Sequence, residues 1–451
     1  MRLTTQCAGV LCAIGALIAA GACSDSAGPA GPAAKLHIVN GDRQEGTGPI
    51  ELPQPLVVVV LDAGDRPVAG AEVTWIADDG GSIAPPVSTT DSRGRATARW
   101  TLGPSTGEHH ARAVVGGGLV AAFTAIESEI AIDQIIPLTL TTYDGSGQVV
   151  HPDVAGVPME WNGDALRLAI TPYPGGDASF ENPSLFTAPD AITWRVPDGL
   201  RNPVESPTTG YLSDPDVVFD PDSRRLWMYY RQVTGTNDIE LATSADGVHW
   251  DAPQLVVSGP NHTVVSPSVV RRAAGDWWMW AVNGGSGCTA PSATIEVRRS
   301  TDGIHWGAPV TASLSQPGYY PWHVDVEWIP SRGEFWAVYN VKTAGSCTTP
   351  ALYLATSADG VTWTTYPAPV LARGAIAEFA NVVYRSTFAY DPTSDVVTFW
   401  YSGAAYTGSG WVWRAAEQRR RRADLFAQLA TAGFLLPPAA GSPPPELTDG
   451  P

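Results

Sequence analysis

Three short stretches decide the fold: TSADGVHW at 243–250, RSTDGIHW at 299–306 and TSADGVTW at 356–363. Each places Asp-Gly between strand-like runs, the favoured chemistry of a tight hairpin turn. A related stretch without the glycine, TAPDAITW, occupies 187–194. The closing tryptophans, Trp194, Trp250, Trp306 and Trp363, are spaced by 56, 56 and 57 residues. A fixed period of that size with strands on both sides means a solenoid or a propeller.

A second element recurs upstream of each hairpin. It reads VHPDV at 150–154, SDPDVVFD at 213–220, VSPSVV at 265–270, WHVDVEW at 322–328 and YRSTFAYD at 384–391. Five starts against four hairpins leave the last unit one strand short, and IIPLTLTTYDG at 135–145 can supply it. Pairing an N-terminal strand into the last blade closes a ring and removes its loose edge. The expectation is a five-bladed β-propeller over 130–416. Residues 417–451 are expected to form a short solvated helix, carrying the basic run Arg419–Arg422, and a proline-rich tail.

Alternation along a strand sends successive side chains to opposite faces. In WHVDVEW, Trp322, Val324, Val326 and Trp328 share one face, and His323, Asp325 and Glu327 the other. Across the five starts the polar face carries His151, Asp214, Ser266, His323 and Arg385. Two residues on it carries Asp153, Asp216, Ser268, Asp325 and Thr387. These faces are expected to line the axial channel. Crowded carboxylates shift in pKa and are candidate acid/base machinery. Tyr319, Tyr320 and Trp322 are candidates to stack on a ligand, and Glu181 in FENPS reads as a surface group.

The five blades and inner-strand carboxylates resemble the glycoside hydrolases of the arabinanase, invertase and levansucrase type. The resemblance implies a base at Asp153 and an acid at Glu327 or Asp325, with Asp214 and Asp216 standing in for a third carboxylate. Blade three has Ser266 and Ser268 where the family has that group. His151, His323, Arg385, Tyr319, Tyr320 and Trp322 are then substrate-binding candidates. The chemistry requires no cofactor, although His151, Asp214, His323 and Asp325 offer the channel a calcium ion. The partner is a polysaccharide or glycan, and the chain is expected to act as a monomer. The competing reading is a propeller that binds glycans, or mediates adhesion, without catalysis. A sialidase fits poorly, because Arg385 is alone among these channel-lining positions where that class has an arginine cluster.

Residues 35–127 alternate strands and turns at about ten-residue spacing, as in a β-sandwich. The GDRQ start, DAGDRPVAGAEVTW, TDSRGRATARWTLG and the closing FTA resemble the bacterial Ig-like domains of the invasin and intimin type (Big-1), which space, stiffen or mediate adhesion. His109 and His110 are expected at its surface. The fold class is therefore all-β: an Ig-like sandwich followed by the propeller.

Residues 1–22 have the form of a secretory signal, with Arg2 before an apolar run. AGAC at 20–23 resembles the lipobox of bacterial lipoproteins, which implies lipidation of Cys23 and an exported, envelope-anchored chain. Residues 23–34 are a linker, and the membrane is met only through the lipid. Cys288 and Cys347 sit in similar contexts, GSGCTAP and AGSCTTP, and can pair in an oxidising compartment. A net charge of −18 argues against nucleic acid as a partner.

Overall fold

A computed structural model describes residues 30–436, apart from 47–50, 53, 104–106, 117, 128–131, 159–160, 162–163, 189–192 and 435. The signal segment, Cys23 and the proline-rich tail lie outside the described residues. The regular structure of the described chain is almost entirely strand, with a single α-helix, Arg422–Leu429, among the described residues. No helix among them is long and apolar enough to cross a membrane.

Residues 35–127 form two sheets over one core. One sheet is ordered Lys35–Asn40, Leu56–Leu61, Arg95–Thr101, Ser82–Ala84. The other is ordered Gln44–Gly46, Leu119–Glu127, Gly107–Val115, Glu72–Ala77, Val87–Thr89. Alternate residues of each sheet meet between them: Val58, Val60, Ala96 and Trp100 from the first, Trp75, Ala111, Ala113 and Phe123 from the second. His109 is a correction. It lies on the strand Gly107–Val115, whose alternation turns it inward, and it is 1% exposed.

The remainder is the propeller. Blades two, three and four are antiparallel sheets whose inner strands are Tyr211–Asp220, Val265–Ala273 and Tyr320–Ile329. Blade one has three strands, beginning with Val149–Gly156, and its outer position is reduced to the bridge Thr187–Arg195. The inner strand of blade five is interrupted, with Val382–Val383 and Thr387–Asp391 both pairing with Val396–Tyr406. The inner strands touch in sequence, and blade five returns to blade one. The closing strand is the expected one: Ile135–Pro137 pairs antiparallel with Trp411–Arg421 as the outermost strand of blade five.

The repeated hairpins hold the blades together. In each, a serine (Ser244, Ser300, Ser357) accepts the N–H of the Asp and of the Gly that follow it. The glycine then fits under aromatics of the preceding blade. A Cβ on Gly303 would lie 2.9 Å from both Trp227 and the Tyr229 hydroxyl, and its φ of +75° favours glycine. Tyr229 donates its hydroxyl to the Gly303 carbonyl, and Trp280 donates Nε1–H to that of Gly360. These tryptophans are blade-to-blade packing, as is Trp161, whose Nε1–H donates to the Arg224 carbonyl.

The basic run is also corrected. Arg419, Arg420 and Arg421 belong to the last strand, and the helix begins at Arg422. Arg419 pairs with Glu417, Arg420 with Asp133 and Arg422 with Asp395. The helix is docked, not solvated: Leu425 and Leu429 are buried in the core of blades four and five. Cys288 and Cys347 form a disulfide between the loops of blades three and four.

Candidate functional site

The inner strands do not run smoothly into the channel. The register shifts between Val150 and Asp153, Ser213 and Asp216, Val265 and Ser268, and Pro321 and His323. At the first three shifts a non-glycine residue adopts a left-handed backbone: His151 at φ 59°, Asp214 at 50° and Ser266 at 54°. Such conformations cost about 1–3 kcal/mol each and gather at functional sites. A bulge re-aims a side chain, and here it turns equivalent residues of successive blades toward the axis.

The first layer brings together His151, Asp214 and His323, all nearly inaccessible to solvent. One ligand atom from each lies within 4.8 Å of the others. Nε2 of His151 is 3.3 Å, and Nδ1 of His323 3.5 Å, from Oδ1 of Asp214. All three of those atoms, and Nε2 of His323, lack a hydrogen-bond partner. Buried polar atoms in native proteins are normally satisfied, so four orphaned ones in one layer fit the donor set of a cation. The surroundings fit it too. Oδ2 of Asp214 faces Nε of Arg231 at 2.9 Å and accepts the Ser266 N–H at 3.2 Å. Nδ1 of His151 lies 3.3 Å from the Thr171 hydroxyl and 3.4 Å from that of Ser213. Ligating residues are commonly oriented by such outer contacts.

Burial pushes His151 down to about 3, against the pull of Asp214, so its imidazole is neutral near pH 7. His323 is likewise held well below its usual range by burial. Burial alone would raise Asp214, yet His151, Arg231 and His323 together hold it below the ordinary carboxylate range. Two neutral imidazoles and one carboxylate are a ligand set for a divalent transition metal.

Glu181 is not a surface group. It is 4% exposed, accepts the Ser213 hydroxyl and lies 3.6 Å from Nδ1 of His151. Burial pushes its carboxyl up to about 8. Tyr384, half-buried, walls the layer, its ring 4.3 Å from that of His323 and 5.4 Å from that of His151. Arg231 and Tyr384 were not anticipated from the sequence. Arg231 ends the aromatic run of the second strand in blade two, and Tyr384 enters through the break in the inner strand of blade five.

The second layer holds Asp153, Asp216 and Asp325, whose oxygens also lie within 4.8 Å of one another. These residues staple the blades. Asp153 accepts the Val217 N–H at 2.6 Å, and Asp216 the Val269 N–H at 3.0 Å. Ser268 accepts the Val326 N–H at 2.8 Å. A hydroxyl therefore does in blade three what a carboxylate does in blades one and two, which accounts for the serines there. Arg385 joins the layer, Nη2 lying 3.6 Å from Oδ1 of Asp216 and donating to the Pro267 carbonyl. Burial raises Asp153, Asp216 and Asp325. Glu327, one step further and partly exposed, is raised by burial and by Asp325 and Asp153.

The stacking candidates divide. Tyr319 and Tyr320 are partly exposed. Trp322 is 5% exposed against the Cys288–Cys347 disulfide, with the Lys342 ammonium 5.5 Å from its ring. It donates Nε1–H to the Tyr384 hydroxyl.

No family model matches the chain. It is 30% identical over 307 residues to the A type blood N-acetyl-alpha-D-galactosamine deacetylase of Flavonifractor plautii, covering 56% of this chain. The chain spans 40% of the length of that relative. An N-acetylgalactosamine deacetylase structure from F. plautii, in complex with blood group B trisaccharide, superimposes with a TM-score of 0.59. It is 25% identical and covers 66% of this chain and 97% of that one. A thermostable family-43 glycoside hydrolase superimposes with a TM-score of 0.47 at 17% identity, covering 60% of this chain and 89% of its own. The proteins that this chain resembles are carbohydrate-active propellers.

Proposed function

We propose that this chain hydrolyses an N-acyl group from an amino sugar at the His151–Asp214–His323 layer. The observation that carries the reading is the convergence of buried, unpartnered donor atoms of those three residues, in a chain similar, in sequence and in structure, to N-acetylgalactosamine deacetylase of F. plautii. A divalent cation held by these residues would supply Lewis-acid polarisation of the acyl oxygen and lower the pKa of water. Arg231 holds Asp214 ionised and oriented. Glu181, raised to about 8, is placed to move a proton at its Oε2. In its ionised form it takes one from water as that water adds to the acyl carbon, and it then returns the proton to the amine as the C–N bond breaks. Tyr384 supplies an aromatic wall for a sugar ring or an acyl methyl.

Glycoside hydrolysis stands second. Its support is Glu327, a partly exposed carboxyl that burial raises well above its usual range, the direction a general acid needs. Against it, Asp153 is already committed to the Val217 N–H. Its carboxylate also crowds those of Asp216 and Asp325 more closely than the roughly 5–9.5 Å that separates glycosidase pairs. We further infer export and anchoring through a lipid on Cys23, with residues 35–127 as an Ig-like spacer. The support is the sequence of residues 1–23 and the disulfide.

The test is acetate release from N-acetylated amino-sugar glycans, run beside reducing-sugar release. Asp214→Asn, Glu181→Gln and Glu327→Gln variants accompany the wild type. Acetate release that survives Glu327→Gln and is lost in the other two supports deacetylation. Reducing-sugar release lost with Glu327→Gln replaces it with the glycosidase. Retention of a glycan with neither product makes the chain a binding propeller.

A further inference from the structure

Glu181 does not stand alone beside the histidine layer. It follows the single helical turn Ala178–Phe180, where Asp177 accepts the Ser179 N–H at 3.0 Å, and it precedes Asn182. From a second loop, Tyr143 donates its hydroxyl to the Phe180 carbonyl at 2.8 Å and accepts from the Asn182 side-chain amide at 3.0 Å. A phenol has one hydrogen to give, and here Phe180 takes it. Tyr143 can therefore only accept from Asn182, which settles the amide orientation that distance alone leaves open. The NH2 faces Tyr143, and Oδ1 faces away from it. That oxygen is buried and has no hydrogen-bond partner among the described residues, on a side chain that is 8% exposed. A second acceptor, Oδ1 of Asp144, is also buried and unpartnered.

We propose, resting on the N-acyl hydrolysis argued above, that Asn182 reads a hydroxyl of the amino sugar whose acyl group meets Glu181, and that Tyr143 positions its amide. A buried acceptor without a donor is costly, and a sugar ring carries several O–H donors. An unpartnered acceptor selects such a donor and turns away a carboxylate, so the sugar is a neutral or amino sugar and not an acidic one. The place of Asn182 separates its task from that of Glu181. It stands one residue beyond the group that serves the acyl carbon, between Glu181 and two aromatics that reach solvent, Tyr143 and Phe180, each 36% exposed.

The acceptor is also held in advance. The Asn182 N–H donates to the Phe180 carbonyl at 2.7 Å, and the Val204 N–H to that of Pro183 at 2.7 Å. A group ordered before the ligand arrives costs little to engage. A site built to bond a substrate hydroxyl discriminates strongly against the analogue that lacks it.

The test is acetate release from the methyl glycoside of N-acetylgalactosamine, the sugar of the similar deacetylase, and from its monodeoxy derivatives. The full chain is compared with Asn182→Leu and Tyr143→Phe. In the wild type, loss of one particular hydroxyl should lower kcat/KM about tenfold. Asn182→Leu should lose about as much on the parent glycoside, mainly through KM, and nothing more on that derivative. Tyr143→Phe, which frees the amide to turn, should show the same pattern at several-fold size. An unchanged kcat/KM in Asn182→Leu, or an equal loss on the parent and on every derivative, overturns the proposal. If Asn182→Leu does not fold by circular dichroism, an unchanged kcat/KM in Tyr143→Phe overturns it instead. A wild type that releases no acetate sinks the hydrolytic reading, and the same comparison is then made on Kd by calorimetry. There, coupling between Asn182 and one hydroxyl supports the assignment, while no binding, or binding that Asn182→Leu leaves unchanged, overturns it.

Discussion

Nε of Arg231 lies 2.9 Å from Oδ2 of Asp214, and that contact leaves Oδ1 of the same carboxylate facing both imidazoles of the channel. The pair is buried, Asp214 completely. Removing one partner of a buried ion pair costs about 3–5 kcal/mol, because the other charge is left without compensation. Arg231→Met is therefore expected to lower unfolding free energy by about that amount. Urea denaturation measures it, and a loss under about 1 kcal/mol would show that Asp214 is compensated elsewhere.

Tyr384 contacts both imidazoles through its ring and receives the Trp322 indole N–H on its hydroxyl. If the ring is a substrate wall, Tyr384→Phe keeps deacetylation near the wild-type level. Tyr384→Ala lowers kcat/KM by about tenfold, mostly through KM, the scale of an aromatic contact worth about 0.5–1.5 kcal/mol. Equal loss in both variants would assign the effect to the hydroxyl.

The Ser268 staple makes a prediction about stability alone. In Ser268→Ala the Val326 N–H stays buried and loses its acceptor. An unsatisfied buried donor costs about 1–3 kcal/mol. Hydrogen exchange at the Val326 amide should accelerate in step with that loss. Unchanged protection would mean that the amide has found another acceptor.

The hairpin aspartates predict an acid limit. Backbone N–H groups of His305 and Thr362 are the foremost cause holding Asp302 and Asp359 below the usual carboxylate range, Asp359 at about 2. A depressed folded pKa contributes stability that is complete above the unfolded value, near 4, and lost as pH falls through the folded one. Melting temperature should therefore fall as pH drops from about 4 toward 2, and the fall should be shallower in an Asp302→Asn/Asp359→Asn double variant. Identical profiles would exclude these hairpins as the cause.

Much of this architecture could be read from spacing. The tryptophan interval marks the blades, and the polar face of WHVDVEW does reach the channel, because a two-residue period survives even where the strand bulges. What the period hides is the bulge itself. His151, Asp214 and Ser266 occupy left-handed backbone that no alternation announces, and that twist separates a histidine layer from a carboxylate layer. The two sets of five positions, two residues apart, do follow that division. Arg231 and Tyr384 escaped because one comes from a second strand and the other from a break in the repeat. His109 could have been recovered, since GEHHARAVV alternates as a strand and buries every other residue.

The chain enters the propeller through its last blade: Asp133 pairs with Arg420, and Ile135–Pro137 is zipped onto Glu417, Gln418 and Ala416. Tension arriving from residues upstream would therefore meet this seam, with the Ile132–Arg419 bridge beside it, before a blade core. Were the seam to part, blade five would lose its outer strand, while the inner strands that carry the histidine and carboxylate layers would still be joined around the axis.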